Sequence, residues 1–256
     1  MFVSIGFIGA GRIAKIMLEG WTRAGALPGS IVLYDQSDTA VRSLVTDDPS
    51  VRGGTLAEAA GCDLIFGALH PPAMLEALPA IAPALKADAL FCSLAPKIKM
   101  ATLRDKLGGF ARLARMNPNA PSIVNNGFNP VAFADGVPAK ARQDLLAVMA
   151  PLGQTPEVEE HLIETYAVIS AMGPTYFWFQ FDAVRHLAET FGLAPEDARK
   201  TVAAMLHGAV DTLLTSGLPE DKVMDLVPVR PMAEDEPAIR QMIDDRLTAM
   251  FAKLKA

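Results

Sequence analysis

The residues most able to do chemistry lie near the start of the chain, in a glycine-rich stretch that follows an apolar run. Residues 6–14 read Gly-Phe-Ile-Gly-Ala-Gly-Arg-Ile-Ala, and a helical pattern begins at Arg12. Gly9 permits a tight turn, Gly11 lets a phosphate approach the backbone, and Ala14 allows the helix to pack closely on a sheet. The first turn of such a helix offers oriented N–H groups to an anion. The stretch therefore predicts binding of a dinucleotide pyrophosphate.

An acidic residue stands where a dinucleotide site needs one. Asp35 ends the next apolar strand, about 20 residues after the glycine stretch, in the place of the carboxylate that binds ribose hydroxyls. Its charge repels the extra phosphate of NADP, and residues 36–39, Gln-Ser-Asp-Thr, supply no compensating arginine. The sequence therefore predicts an NAD(P)H cofactor, with NAD favoured by Asp35.

The elements that must position these residues alternate between short apolar strands and helices, as in a parallel sheet covered by helices. From Gly153 onward the pattern becomes almost wholly helical. We predict an α/β fold, with a doubly wound parallel Rossmann sheet in residues 1–156 and an all-helical dimerisation and substrate domain in residues 157–256. The predicted strands are 3–8, 30–35, 63–69, 89–93, 111–116 and 128–133, and the predicted helices are 12–24, 72–85, 138–150, 160–171, 174–191, 195–216, 219–226 and 236–254.

Composition and charge exclude several classes of partner. The chain has 256 residues, of which 51% are hydrophobic, and its 23 Lys and Arg against 29 Asp and Glu give a net charge of −6. This acidic balance speaks against nucleic acid, and no apolar run reaches the length of a membrane span. Cys62 and Cys92 lack CxxC spacing and clustered histidines, so we predict neither a metal site nor a disulfide framework. We expect a cytoplasmic protein.

An aromatic segment in the second half indicates self-association. Residues 176–181, Tyr-Phe-Trp-Phe-Gln-Phe, place aromatic side chains all around a predicted helix. A small helical domain cannot easily cover them, so they favour burial in a subunit interface, with an intramolecular core as the alternative. The preceding Gly173-Pro174 interrupts helix hydrogen bonding and allows a bend. We predict a homodimer or a higher homo-oligomer.

Five stretches within residues 1–225 form a set of motifs: 5–14, 68–71 (Ala-Leu-His-Pro), 115–121 (Arg-Met-Asn-Pro-Asn-Ala-Pro), 170–176 (Ser-Ala-Met-Gly-Pro-Thr-Tyr) and 192–198. In the same order and spacing, they resemble IGFIGAGNMA, AVKP, RVMPNTP, SGSGPAY and GLPREEA of the pyrroline-5-carboxylate reductases. This resemblance implies a Rossmann domain, a dimer whose helices are exchanged between subunits, and NAD(P)H-dependent reduction of the C=N bond of a small cyclic imine or related amino-acid derivative.

The sequence departs from this family at the loop before the last helix. There the family's Ser-Pro-Gly-Gly-Thr-Thr binds the substrate carboxylate and supplies a hydroxyl beside the imine, whereas residues 227–232 read Val-Pro-Val-Arg-Pro-Met. We predict that the planar guanidinium of Arg230, reaching in from the partner subunit, takes over carboxylate recognition, with a solvated surface arginine as the alternative. Two other functions stay open: a catalytically lapsed dinucleotide-binding homologue that acts as a sensor or structural dimer, and a dehydrogenase of the 3-hydroxyacid type.

The resemblance and the strand order together give the predicted site. Tyr176 and Ser170, at the helix kink, are the candidate catalytic residues, although Tyr176 also fits a buried structural role. His70, where the family has lysine, is expected to contact nicotinamide or ribose, or else only to cap the next helix. The predicted substrate contacts are Arg230, Met172, Thr175 and Asn119, and the predicted cofactor contacts are Gly9, Gly11, Arg12, Ile13, Asp35, Gln36, Leu69, His70, Ala95 and Asn119.

Overall fold

The structure is a computed structural model that describes residues 2–255 and consists of two compact units. One unit comprises the described residues up to Met172 together with those from Phe251 onward, and the other is Gly173–Met250. The first unit carries the strands and the second is helical. The predicted α/β class, with a parallel sheet followed by a helical region, is therefore confirmed.

The first unit is built on a twisted sheet of short strands. Its strands are β1 Ile5–Ile8, β2 Ile31–Tyr34, β3 Val51–Gly53, β4 Leu64–Gly67, β5 Leu90–Ser93, β6 Leu113–Met116, β7 Gly127–Phe128, β8 Val131–Phe133 and β9 Gly153–Gln154. Seven of them form one sheet in the order β3-β2-β1-β4-β5-β6-β8, parallel throughout except that β6 and β8 run antiparallel. Strands β1, β4, β5 and β6 are buried along their whole length, as expected of a parallel sheet covered on both faces.

Helices connect these strands and make up the second unit. The first unit contains α1 Arg12–Arg23, α2 Asp38–Leu44, α3 Leu56–Ala60, α4 Pro71–Ile81, α5 Met100–Lys106, α6 Ala139–Met149 and α7 Ile163–Tyr166. The later helices are α8 Pro174–Thr190, α9 Pro195–Thr215, α10 Glu220–Met224 and α11 Glu236–Lys255. Across residues 2–255, none of the helices combines the length and the apolar character that crossing a membrane requires.

Aromatic packing holds α1 against the sheet. Trp21 is fully buried, with ring centroids 6.2 Å from Phe7 of β1 and 6.5 Å from Phe66 of β4. Its indole Nε1 donates a hydrogen bond of 2.9 Å to the Val148 carbonyl in α6, so the buried polar atom is satisfied. These contacts fix the orientation of the helix whose first turn faces the candidate site.

Three details differ from the sequence prediction. Strands β3 and β9 and helices α2, α3 and α5 were not predicted, because each is short. The predicted strand 128–133 is divided into β7 and β8 around Asn129-Pro130. The predicted helix 160–171 is not a uniform α-helix, because it begins with a 3-10 turn over Glu160–Leu162 before α7. After α7, residues Ala167–Ala171 form a wide turn in which the Met172 N–H donates to the Ala167 carbonyl, five residues back.

The chain divides into compact units at Gly173, whereas the sequence pattern changes near residue 157. The segment between these positions packs onto the sheet unit. Ile163 lies in its hydrophobic core, and the side-chain amide of Asn117 donates to the Ile163 carbonyl at 2.6 Å. Glu164 forms a buried ion pair with Arg115 of β6. These contacts give residues 157–172 to the sheet unit in the folded structure.

Candidate active site

The turn between β1 and α1 requires glycine. Gly9 has a φ of +112°, a region that favours glycine, and a Cβ there would lie 2.7 Å from the Ala68 carbonyl group after β4. The Gly9 N–H donates to the Tyr34 carbonyl at 2.8 Å, which ties the turn to the end of β2. The glycine stretch therefore brings three strand ends together.

The first turn of α1 is open to a ligand. Gly11 is the residue before the helix, and within the described chain no side chain hydrogen-bonds to this end of it. A Cβ at Gly11 would meet nothing within 4 Å, so space remains beside the backbone. Because the first N–H groups of a helix have no partner inside the helix, and the helix dipole is positive there, this end is suited to an anion.

Asp35 is held firmly at the end of β2. Its Oδ2 accepts a hydrogen bond of 2.9 Å from the Ala10 N–H of the glycine turn, and its Oδ1 accepts one of 2.9 Å from the Ser37 N–H. A carboxylate has about four lone-pair sites, so both oxygens can still accept hydrogen bonds from ribose hydroxyls. The carboxylate is thus positioned by the same turn that faces the anion site.

A cavity of about 480 Å³ joins these features. It lies outside the carboxyl ends of four neighbouring strands, β2, β1, β4 and β5, which is where ligands bind in open α/β sheets. Of the predicted cofactor contacts, all except Gly9 and Asn119 line it. The residues lining it are Gly11, Arg12, Ile13, Asp35, Gln36, Ala68, Leu69, His70, Pro71, Ala73, Leu94, Ala95 and Pro96.

His70 lines this cavity at the start of α4. It is exposed, and its side chain makes no capping hydrogen bond to that helix. Only its backbone carbonyl takes part in the helix, by accepting from the Met74 N–H at 2.8 Å. The imidazole therefore does not cap α4, and His70 is one of the residues that line the cavity.

Asn119 is buried, and its side chain hydrogen-bonds to two separate segments of the chain. Its Oδ1 accepts from the Phe128 N–H at 3.0 Å, and its Nδ2 donates to the Ser170 carbonyl at 3.3 Å. The Ser170 hydroxyl donates to the Tyr166 carbonyl at 2.8 Å, which leaves its oxygen able to accept. Asn119 thus connects the turn after β6 to the wide helical turn that contains Ser170.

The remaining predicted site residues lie on later segments. Met172 is half-buried at the end of the first unit, whereas Thr175 is exposed at the start of α8. Tyr176 is half-buried in α8, and burial raises the pKa of its phenol. Arg230 pairs with Glu236 at the start of α11. Its guanidinium therefore already holds a carboxylate of its own chain.

Arg115 contacts the wall of the cavity, and its role was not predicted from the sequence. Arg115 of β6 has only 1% of its side chain exposed, and its Nη1 and Nη2 are 2.9 Å and 2.7 Å from Glu160 and Glu164. Its Nη2 also donates to the carbonyl of Pro96, which lines the cavity. The signal in the sequence is a charged residue within the apolar run Leu-Ala-Arg-Met, because a buried charge needs partners.

The comparisons with known proteins agree with this geometry. Residues 4–97 match a family model described as NADP oxidoreductase, coenzyme F420-dependent. The pyrroline-5-carboxylate reductase of Escherichia coli (strain K12) is 28% identical over 226 residues, which cover 87% of this chain and 84% of that enzyme. Pyrroline-5-carboxylate reductase 2 of Bacillus subtilis (strain 168) is 26% identical over 248 residues, covering 94% and 87%.

A solved structure gives the same fold. The crystal structure of Plasmodium falciparum pyrroline carboxylate reductase with NADP bound matches at a TM-score of 0.84 and 19% identity, covering 99% of this chain and 97% of that one. Fold and site define a Rossmann-type sheet unit followed by a helical unit, and the similar proteins give its class as oxidoreductase. More particularly, the chain is similar in sequence and in fold to the pyrroline-5-carboxylate reductases over most of its length, which confirms the resemblance found in its motifs.

Proposed function

We propose that this protein is an NAD(P)H-dependent reductase that acts on the C=N bond of a small cyclic imine or a related amino-acid derivative. The observation that carries the proposal is the cavity in which the open first turn of α1, the fixed carboxylate of Asp35 and the loops after β4 and β5 meet. The homology to pyrroline-5-carboxylate reductases supports the class of substrate. A carboxylate on that substrate is part of the proposal.

The residues of the cavity fit a dinucleotide. Open space beside Gly11 and uncapped N–H groups suit a pyrophosphate, and the carboxylate at the end of β2 suits a ribose. When bound, the reduced cofactor supplies the two electrons and the hydrogen that the substrate carbon gains. We assign the pyrophosphate to Gly11, Arg12 and Ile13, the adenosine ribose to Asp35 and Gln36, and the nicotinamide riboside to Leu69, His70 and Ala95.

We further propose that NAD is preferred to NADP. Both oxygens of Asp35 are fixed by backbone N–H groups, so the carboxylate cannot turn away from a phosphate without breaking a hydrogen bond. The adjacent Gln36 lines the cavity and carries no charge to offset that repulsion. The NADP bound to the Plasmodium homologue belongs to that protein and sets the competing expectation.

The protein's tasks toward the imine are positioning and protonation. A cyclic imine takes up a proton readily, so a site gains most by orienting the protonated substrate and excluding water. We assign proton handling to the hydroxyl of Ser170 and to the phenol of Tyr176, whose pKa is raised by burial. We assign substrate contacts to Arg230, Met172, Thr175 and Asn119. Arg230 can fork between Glu236 and a substrate carboxylate, since a guanidinium has five N–H donors.

We propose that the protein is a homodimer formed through its helical unit. Within the described chain, α8 has no buried residue, and its Trp178 and Phe179 are 51% and 67% exposed. Leu214 of α9 is 73% exposed. Large apolar side chains exposed in this number are typical of an interface, and a second copy is the occupant that the predicted exchange of helices favours.

The buried free thiols of Cys62 and Cys92 fit the cytoplasmic location expected from the sequence.

A second candidate function is a dinucleotide sensor without turnover. The ion pair between Arg230 and Glu236 favours it, because the residue proposed to replace the family's carboxylate-binding loop already has an acidic partner. The two functions predict different kinetics with the same ligands.

The experiment that separates them measures NADH and NADPH oxidation with a panel of five- and six-membered cyclic imines, with and without a carboxylate. Turnover that requires the carboxylate supports the proposed reductase. Micromolar cofactor binding without turnover on any imine or keto acid supports the sensor. Failure to bind either dinucleotide contradicts both.

A further inference from the structure

In the proposed function, one end of the cavity takes the adenosine side of the dinucleotide and the other end remains for the nicotinamide side. This inference rests on the proposed function. Asp35 follows β2, the open helix turn follows β1, and Leu94 follows β5, three strands away from β2. Neighbouring strands lie about 4.8 Å apart, so the two ends are roughly 14 Å apart. With ribose at Asp35 and pyrophosphate at α1, the other half of the ligand extends toward the loop after β5.

Several hydrogen bonds hold the loop after β5, residues 94–97, in place. The Leu94 N–H donates to the Gly67 carbonyl of β4 at 2.9 Å, and the Ala95 N–H donates to the Ser93 hydroxyl at 3.3 Å. The Pro96 carbonyl accepts from Arg115. The last of these is the bond that connects the loop to a buried charge.

Arg115 receives its own orientation from the segment that precedes the wide helical turn. Glu164 is 4% exposed and accepts from Nη2 at 2.7 Å, while Glu160 accepts from Nη1 at 2.9 Å. Glu160 also accepts from the Met100 N–H, the first residue of α5, at 2.7 Å. One guanidinium thus joins the wall of the cavity to the helix that leads to Ser170 and to the start of α5.

We propose that Arg115 is a positioning residue for the nicotinamide half of the cofactor. It holds the Pro96 carbonyl in place and so fixes the wall formed by Leu94, Ala95 and Pro96. A planar, permanently charged fork is suited to this role because it satisfies two carboxylates and one carbonyl in a fixed geometry. The residue itself does not touch the ligand, so its effect should be confined to the end of the cavity that it supports.

The test compares ADP with NADH on the wild-type chain and on Arg115→Met. ADP reports the adenosine half alone, and the fluorescence of the reduced nicotinamide ring reports the other half. We expect the dissociation constant of ADP to stay within about twofold, and that of NADH to rise about tenfold, because the wall formed by Leu94, Ala95 and Pro96 loses its support. The fluorescence enhancement of bound NADH should be largely lost. Arg104→Met, at an exposed arginine of α5, is the matched control and should behave as wild type.

Two further variants keep the test decisive. Arg115→Lys retains the charge and one donor, so it should restore part of the NADH affinity. If Arg115→Met shows no cooperative thermal unfolding, Glu160→Ala replaces it, because Glu160 has 37% of its side chain exposed and its loss is better tolerated. We expect about a threefold rise in the NADH constant there, with ADP unchanged.

Equal weakening of ADP and NADH would overturn the proposal, because it would show a general structural role. Unchanged binding of both ligands would overturn it as well. If the wild-type chain binds neither ADP nor NAD(P)H, the proposed function fails instead, so the two failures are distinguishable.

Discussion

Replacing Asp35 by asparagine tests the proposed cofactor preference. The new side-chain amide keeps one carbonyl oxygen, which can accept from the Ala10 N–H as the Asp35 Oδ2 does now at 2.9 Å. The charge is removed while the glycine turn stays connected to β2. The amide nitrogen takes the place of Oδ1 and cannot accept from the Ser37 N–H, so this substitution removes the charge and one local hydrogen bond but keeps the bond that ties the glycine turn to β2.

The expected change in cofactor preference combines a loss of affinity for NADH with a gain of affinity for NADPH. A hydrogen bond from a ribose hydroxyl to a charged carboxylate contributes about 1.5 to 3 kcal/mol, and part of it is lost for NADH. Repulsion between Asp35 and the extra phosphate of NADPH is about 1 kcal/mol in water and about 4 kcal/mol at an effective dielectric constant of 20. Since Asp35 is half-buried, we take the lower part of that range. The NADPH-to-NADH affinity ratio should rise by at least about 30-fold, or about 2 kcal/mol.

The assay is a fluorescence titration of both reduced cofactors at one ionic strength, because salt screens the repulsion. Asp105→Asn, an exposed carboxylate on α5, serves as the charge-matched control and should leave the ratio unchanged. The reasoning is refuted if the wild-type chain binds NADPH more tightly than NADH. It is also refuted if Asp35→Asn weakens both cofactors to the same extent.

Three other changes test separate parts of the structure. Gly9→Ala should abolish dinucleotide binding and lower the free energy of unfolding by several kcal/mol, because the new Cβ would lie 2.7 Å from the Ala68 carbonyl group at a φ of +112°. Calorimetry measures the binding and urea unfolding the stability, and near-normal binding would contradict the assigned turn. Phe179→Glu, on the exposed face of α8, should shift the protein toward monomer in sedimentation analysis, and an unchanged dimer would place the interface elsewhere. Arg230→Ala should raise the Michaelis constant of a carboxylate-bearing imine by about 10- to 100-fold, or about 1.4 to 3 kcal/mol, with little change for an imine without a carboxylate. Equal effects on both imines would show that Arg230 acts only through Glu236.

The Rossmann half could be predicted from sequence because its signals are local. Residues 6–14 combine a strand end, a glycine turn and a helix start within one short stretch, and Asp35 marks the next strand end by its residue type. Strand β3 was not predicted because it is only three residues long and two of them are exposed, which leaves no apolar alternation to detect. The division of the predicted strand 128–133 into β7 and β8 was not predicted for a similar reason, since each part is too short to show an alternation of apolar and polar residues.

The missing parts of the candidate site depend on distant partners. Arg115 finds Glu164 49 residues away, and Asn119 finds Ser170 51 residues away. Residue type alone does not show that an arginine is buried between two glutamates, or that an asparagine side chain is already used by the backbone. Arg230 illustrates the same point, because its pairing with Glu236 depends on how a proline-rich loop meets the start of α11.

The two tryptophans give this chain an internal reporter for each compact unit. Trp21 is fully buried and hydrogen-bonded in the sheet unit, whereas Trp178 is 51% exposed on α8. Acrylamide should therefore quench the emission of Trp178 and leave that of Trp21 almost unaffected, and dimer formation should shield Trp178. With Trp178→Phe and Trp21→Phe variants, the unfolding of the nucleotide-binding part and the uncovering of the helical surface can be followed separately in one instrument, without an attached dye.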